Sequence, residues 1–159
     1  MSTSRGIGSD ARVDAAGRQV LMRACVDASE TEMEAALATL GELPAAEELR
    51  PPQTGLVMLR GRIGGNGSAF NLGEATVTRA ALRLASGAAG FSYLLGRCER
   101  RARLAALIDA LGQDPDLRAK LEACFVAPIT ARRVEADSRR RAEAAATKVD
   151  FFTLVRGED

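Results

Sequence analysis

Histidine is missing from all 159 residues, and so is tryptophan. The first absence removes every Ser–His and Cys–His nucleophile, every imidazole metal ligand, and the one side chain that titrates near neutrality unaided. Acid–base chemistry would fall to tuned carboxylates, lysine, cysteine or Tyr93, the single tyrosine. Cysteine is scarce as well. Cys25, Cys98 and Cys124 are an odd set at unrelated spacings, which suits neither a disulfide framework nor a zinc ribbon and implies buried thiols in a reducing compartment. No metal site is expected. Charge of one sign is lacking too: 22 basic residues stand against 21 acidic ones, so nothing draws the whole chain to nucleic acid or a bilayer. The longest uncharged stretch, residues 84–96, is too short to span a membrane, and residues 1–10 have no apolar centre of a signal peptide. The expectation is a cytoplasmic protein.

What the chain does have is apolar periodicity. Its length suits one domain, expected over residues 11–159, preceded by a flexible polar arm at 1–10. Val13, Ala16, Val20, Leu21 and Ala24 recur with helical period. A second helix follows: Ser29 with Glu32 forms a capping box, Met33, Ala36, Leu37 and Leu40 make the stripe, and Gly41 supplies the stop. Pro44, Pro51 and Pro52 then break regular structure, leaving at most a short edge strand over 47–50.

The period next changes to two. Val57, Leu59 and Ile63 alternate with Met58, Arg60 and Arg62, and the strand ends in Gly64, Gly65, Asn66 and Gly67, a hairpin signal. The return strand starts at Phe70, and its parity slips between Val77 and Leu82, which predicts a bulge at 79–81. Phe91, Tyr93 and Leu95 mark a further strand. Helices resume after Gly96. Leu104, Leu107, Ile108 and Leu111 line one, Asp114 and Pro115 open another that Pro128 should end, and residues 130–148 form a long charged helix. The sum is an α+β fold: a helical hairpin, an antiparallel meander of three or four strands, then helices.

Few constellations carry chemistry. Gly6 and Gly8 mimic a dinucleotide fingerprint but have no strand before them. Gly64, Gly65, Asn66 and Gly67 can cradle phosphate oxygens, with Arg60, Arg62 and Arg79 to add charge, although a tight turn accounts for every glycine. The long helix holds six basic and three acidic residues. Pairing of Glu135 with Arg139 and Asp137 with Arg141, and the lack of interleaved aromatics, favour a solvated or partner-facing helix over a nucleic-acid surface. At the C-terminus Phe151, Phe152, Leu154 and Val155, followed by Arg156, are too apolar to be left in water. The whole stretch 130–159 that holds them is expected to form an interaction arm.

Residues 54–67, 73–84, 90–97 and 106–111, and the tail at 148–157, resemble in order the PhnG family, the G subunit of the carbon–phosphorus lyase core complex. The likeness runs from about residue 17 to residue 157. It implies work with the I, H and L subunits in attaching a phosphonate to the ribose C1 of ATP, with release of adenine. The product would be an α-D-ribose 1-alkylphosphonate 5-triphosphate. The core-complex partners it implies are the I, H and J subunits, J being the radical iron–sulfur enzyme that later breaks the carbon–phosphorus bond. Catalysis of the first step is ascribed to the I subunit. The resemblance brings no catalytic residue and no cofactor to this chain, and at most indirect contact with ATP and alkylphosphonate. A pure scaffold touching no substrate and a basic-helix nucleic-acid binder are the alternatives.

Overall fold

A computed structural model describes residues 15–63 and 67–147. The expected arm at 1–10 and the aromatic tail lie outside the described residues. The order of elements is α1 (Ala15–Asp27), α2 (Glu30–Thr39), β1 (Ala46–Gly61), β2 (Phe70–Leu84), β3 (Ala89–Leu95), α3 (Glu99–Leu111), α4 (Pro115–Leu121), a π turn (Glu122–Val126) and α5 (Ala127–Ala146). This is the α+β class, with a three-stranded antiparallel sheet in the order β1-β2-β3.

The capping box at Ser29 forms as its residues require. The Ser29 backbone N–H donates to Glu32 Oε2 at 2.7 Å, and the Glu32 N–H donates to Ser29 Oγ at 3.3 Å. Gly41, with φ 83°, turns the chain out of α2. Asp114 caps α4 through the N–H groups of Asp116 and Leu117.

Three expectations about breaks are corrected. Pro51 and Pro52 do not confine the strand to 47–50: β1 continues through them. It is an edge strand, and its register against β2 shifts between Glu48 and Arg50 and again between Arg50 and Gln53. An edge and a bulge are where a missing N–H is tolerated. The bulge expected within β2 at 79–81 is on the opposing strand instead. Pairing of β2 with β3 is continuous from Val77↔Leu95 to Arg83↔Ala89, and β1 carries the extra residues. The parity slip arose because Thr78, a polar residue, holds a core position. Finally, Pro128 does not end the helix. A π turn precedes it, with the Ala127 N–H reaching the Glu122 carbonyl, and Pro128 falls in the first turn of α5, where its missing N–H matters least.

The core lies between one face of the sheet and the helices. Ala80, Leu82, Leu84 and Leu94 meet α3, whose Ala102, Ala105, Ala106, Ile108 and Leu111 are buried. The many alanines let α3 lie close to the strands. Gly90 is needed there, because a Cβ would run into the Ala106 carbonyl. On the far side Leu21, Cys25, Met33, Leu121, Phe125 and Ile129 complete the cluster. Burial pushes the Cys25 thiol up to about 12. Cys98 is half-buried, and Cys124 is exposed, against the expectation of three buried thiols.

Candidate functional site

Two places in the described residues offer themselves to a ligand or a partner. The first is an open groove of about 990 Å³ between α1 and the free edge of β3, lined by Arg18, Val20, Val26, Phe91, Tyr93 and Asp109, among others. Just beyond β3, the Gly96 N–H donates to the Thr76 carbonyl at 2.8 Å. Even-numbered positions of β3 therefore bond β2, and odd-numbered ones turn to the free edge. There the Phe91 N–H donates to Asp109 Oδ2 at 2.8 Å, and Gln113 Nε2 donates to the Ala89 carbonyl at 2.6 Å.

Asp109 is 1% exposed and stands on α3, facing α1. Arg18 grips it with both arms of its guanidinium, Nε to Oδ1 at 2.7 Å and Nη2 to Oδ2 at 2.6 Å. The hydrogen bond and charge of Asp109 hold the Arg18 cation more firmly than usual, overcoming its partial burial. Three donors thus converge on one buried carboxylate, tying α1, α3 and β3 at a single point. Sequence reasoning missed this pair, since residues 91 positions apart leave no local signal.

The second place is the distal half of the β1–β2 ladder. Buried Thr78 marks its boundary: its Oγ1 donates to the Gly96 carbonyl at 2.6 Å, accepts the Cys98 N–H at 3.1 Å and lies 3.1 Å from Thr54 Oγ1. One residue on, past Val77, β3 has ended, and residues 56–61 pair with 70–76 as a two-stranded ribbon. Leu56 is 64% exposed, Met58 58%, Leu72 61% and Ile63 77%. The expected alternation of buried and exposed positions along 57–63 is therefore absent. The signal was legible: Leu56, Val57, Met58 and Leu59 are apolar at both parities.

Of the residues singled out for substrate, Arg60 and Arg62 lie exposed toward the end of this ribbon. Gly67 follows it, packed near the Ile63 carbonyl. Gly64, Gly65 and Asn66 lie outside the described residues, as do Phe151, Phe152, Leu154, Val155 and Arg156. Arg79 is not brought to the others. It pairs with Gln53 and Tyr93 in mid-sheet, eight β2 positions from Asn71, the partner of Arg60. At the rise of an antiparallel strand that is about 27 Å.

On α5 the pairing also differs in part. Glu135 meets Arg139 at 3.2 Å as expected, but Asp137 lies 3.7 Å from Arg133 and 3.6 Å from Arg140. Arg133 meets Asp27 at 2.6 Å and Arg132 pairs with Glu32, clamping the start of α5 to the helical hairpin. Among the described residues, no helix is long and apolar enough to cross a membrane.

With this geometry in hand, comparison with known proteins is specific. The family model for "Phosphonate metabolism protein PhnG" matches residues 16–157. A protein of Rhizobium meliloti (strain 1021), named alpha-D-ribose 1-methylphosphonate 5-triphosphate synthase subunit PhnG, is 53% identical over 135 residues, covering 78% of this chain and 85% of that protein. The family match takes in the groove between α1 and β3, the ribbon and the long helix alike, and the chain belongs to the PhnG family.

Proposed function

We propose that this chain is a subunit of an α-D-ribose 1-methylphosphonate 5-triphosphate synthase in the cytoplasmic breakdown of phosphonates, and that the bond-making groups lie on other subunits. The similar Rhizobium protein is named as such a subunit, and a subunit has partners. The I, H and J subunits of the carbon–phosphorus lyase core complex are the ones proposed here.

The observation that carries the accessory role is the state of Asp109. It is the buried carboxylate of the groove, and Arg18 and the Phe91 N–H engage both its oxygens. A carboxylate with both oxygens held by donors from α1 and β3 is a strut between those elements and α3. The chain then contributes shape: it carries a ribbon and a charged helix that meet the neighbouring subunits, with the tail from Phe151 to Arg156 as a further contact.

A second reading has one observation in its favour. Arg60 and Arg62 are exposed, close in sequence to Gly64–Gly67, and have no ion pair among the described residues. In an assembly they would reach across a subunit boundary to a triphosphate, with Gly64, Gly65, Asn66 and Gly67 offering backbone N–H groups. Arg79, farther away, would need a separate contact.

One experiment tests both. ATP and methylphosphonate are supplied to the chain alone and to the chain with the I, H and L subunits. Adenine should appear only in the mixture, and less of it when this chain is omitted. Adenine released by the chain alone would overturn the accessory role. In the mixture, Arg60→Ala or Arg62→Ala should weaken nucleotide affinity by about 1.5–3 kcal/mol per charged hydrogen bond if the second reading holds. Unchanged affinity in those variants and in Arg79→Ala leaves the scaffold role alone standing.

A further inference from the structure

The ribbon raises a question that subunit membership does not answer, namely what covers it. An isolated two-stranded ribbon is marginal in water, and a sheet needs an apolar face against something. Here both faces carry apolar side chains from β1. Leu56 and Met58, opposite Thr76 and Glu74, leave from one side. Val57 and Leu59, opposite Ala75 and Gly73, leave from the other. Gly55 and Gly73 thin that second side further, since a Cβ at either would meet nothing within 4 Å. A wall packed there can approach the backbone itself.

We propose that the ribbon, residues 56–61 and 70–76, inserts between two apolar walls of a cleft in a different polypeptide of the same assembly, with carboxylates of that partner meeting Arg60 and Arg62. The proposal rests on the subunit reading above.

Three features of the ribbon select this occupant. A flat partner, or a second copy stacking its own ribbon, would cover one face and leave the other in water, whereas a cleft covers both. The exposed charges at the ribbon are Arg60 and, just past its end, Arg62, with Glu74 farther back opposite Met58, and none is ion-paired among the described residues, so the surface matching the two arginines is acidic. The size also fits. A specific interface takes about 20–30 residues a side, and thirteen residues from the two strands supply about half of one.

The test uses the full-length chain co-expressed with the other synthase subunits. Met58→Glu charges one face and Leu59→Glu the other. Each should lower the co-purified partner at least tenfold while the circular dichroism of the isolated chain is unchanged. Ala119→Glu, an exposed change on α4 away from the ribbon and the charged helix, should leave assembly intact. In the wild-type complex, hydrogen exchange at 56–61 and 70–76 should slow at least tenfold relative to the isolated chain, a reading that needs no variant to fold.

Wild-type co-purification of both variants overturns the cleft, and loss in only one of them reduces it to a one-sided contact, which also overturns it. An isolated chain that sediments as a dimer dissociated by Met58→Glu would make a second copy the occupant. Faster ribbon exchange in the isolated chain after deleting residues 148–159 would make its own tail the occupant. If the wild-type chain fails to co-purify with the synthase subunits at all, the subunit reading fails, and the cleft with it.

Discussion

The two ends of the β1–β2 ladder share one backbone and one set of cross-strand bonds, and they differ in what lies against them. At the end near Leu84, β2 has β3 on its other side and α3 beneath it, and Ala80, Leu82 and Leu84 are buried. At the end near Phe70 the same strand has one neighbour and no helix among the described residues, and Leu56, Met58 and Leu72 stand more than half exposed. The hydrogen bonds continue through both. A ladder therefore extends as far as its strands pair, while the core extends only as far as α3, and Thr78 stands at the boundary. What remains beyond the boundary is exposed apolar surface, the part we propose another subunit covers.

That contrast is most sharply tested at the supported end. Arg18→Ala should destabilise the isolated chain by about 3 kcal/mol in urea unfolding, the lower part of the range for breaking a buried pair. The lower part applies because the Arg18 side chain is 34% exposed, while Asp109 at 1% would be left without a countercharge. A loss below about 1 kcal/mol would mean that water replaces Arg18 readily, and that the groove between α1 and β3 is not a fixed part of the fold.

How far the sequence foretold this division depends on the range of each signal. The Ser29 cap and the helical stripes of α2 and α3 were legible because local spacing encodes them; β3 was found through Phe91, Tyr93 and Leu95, yet these are exposed and Gly90, Ser92 and Leu94 face the core. Pro51, Pro52 and Pro128 misled for a physical reason: proline forbids a hydrogen bond, and whether that bond is needed depends on edges and π turns set by distant contacts. The same holds for the site. Arg60 and Arg62 were singled out for lying close in sequence to Gly64–Gly67, and Arg79 was added although mid-sheet pairing sets it far from Arg60. Asp109 went unseen inside a helical stripe. The ribbon was misread as half-buried because period two was assumed to mean one covered face.

A smaller effect is expected at the helical hairpin that supports the covered end. Ser29→Ala should cost about 1 kcal/mol at pH 7, the usual worth of an N-cap. Its partner gives the pH dependence. The Ser29 backbone N–H, then the Ser29 hydroxyl and Arg132, hold the Glu32 carboxyl below its ordinary 4.5. A folded-state value below the unfolded one means that Glu32 contributes stability above about pH 4.5, and that this contribution disappears as pH falls through the folded value. Glu32→Gln should therefore differ from wild type at neutral pH and converge with it in acid. A constant difference across that range would place the effect in packing and not in charge.

The smallest effect is expected on the ribbon, and its smallness is what matters. In an ordinary half-buried strand, Leu→Ala removes contacts and leaves a cavity, at about 2–5 kcal/mol. Leu56 is 64% exposed and sits on an edge strand opposite Thr76. Most of what Leu56→Ala would remove is already in water, so no cavity follows, and the remaining loss is a few tenths from strand preference. The isolated chain should thus change by no more than about 0.5 kcal/mol, within the usual range for surface positions. The urea midpoint, read at unchanged slope, measures it. A loss above about 1.5 kcal/mol would mean that Leu56 is packed even without partners, against the tail or a second copy. The two ends of the ladder would then be covered alike, and the division at Thr78 would not exist in solution.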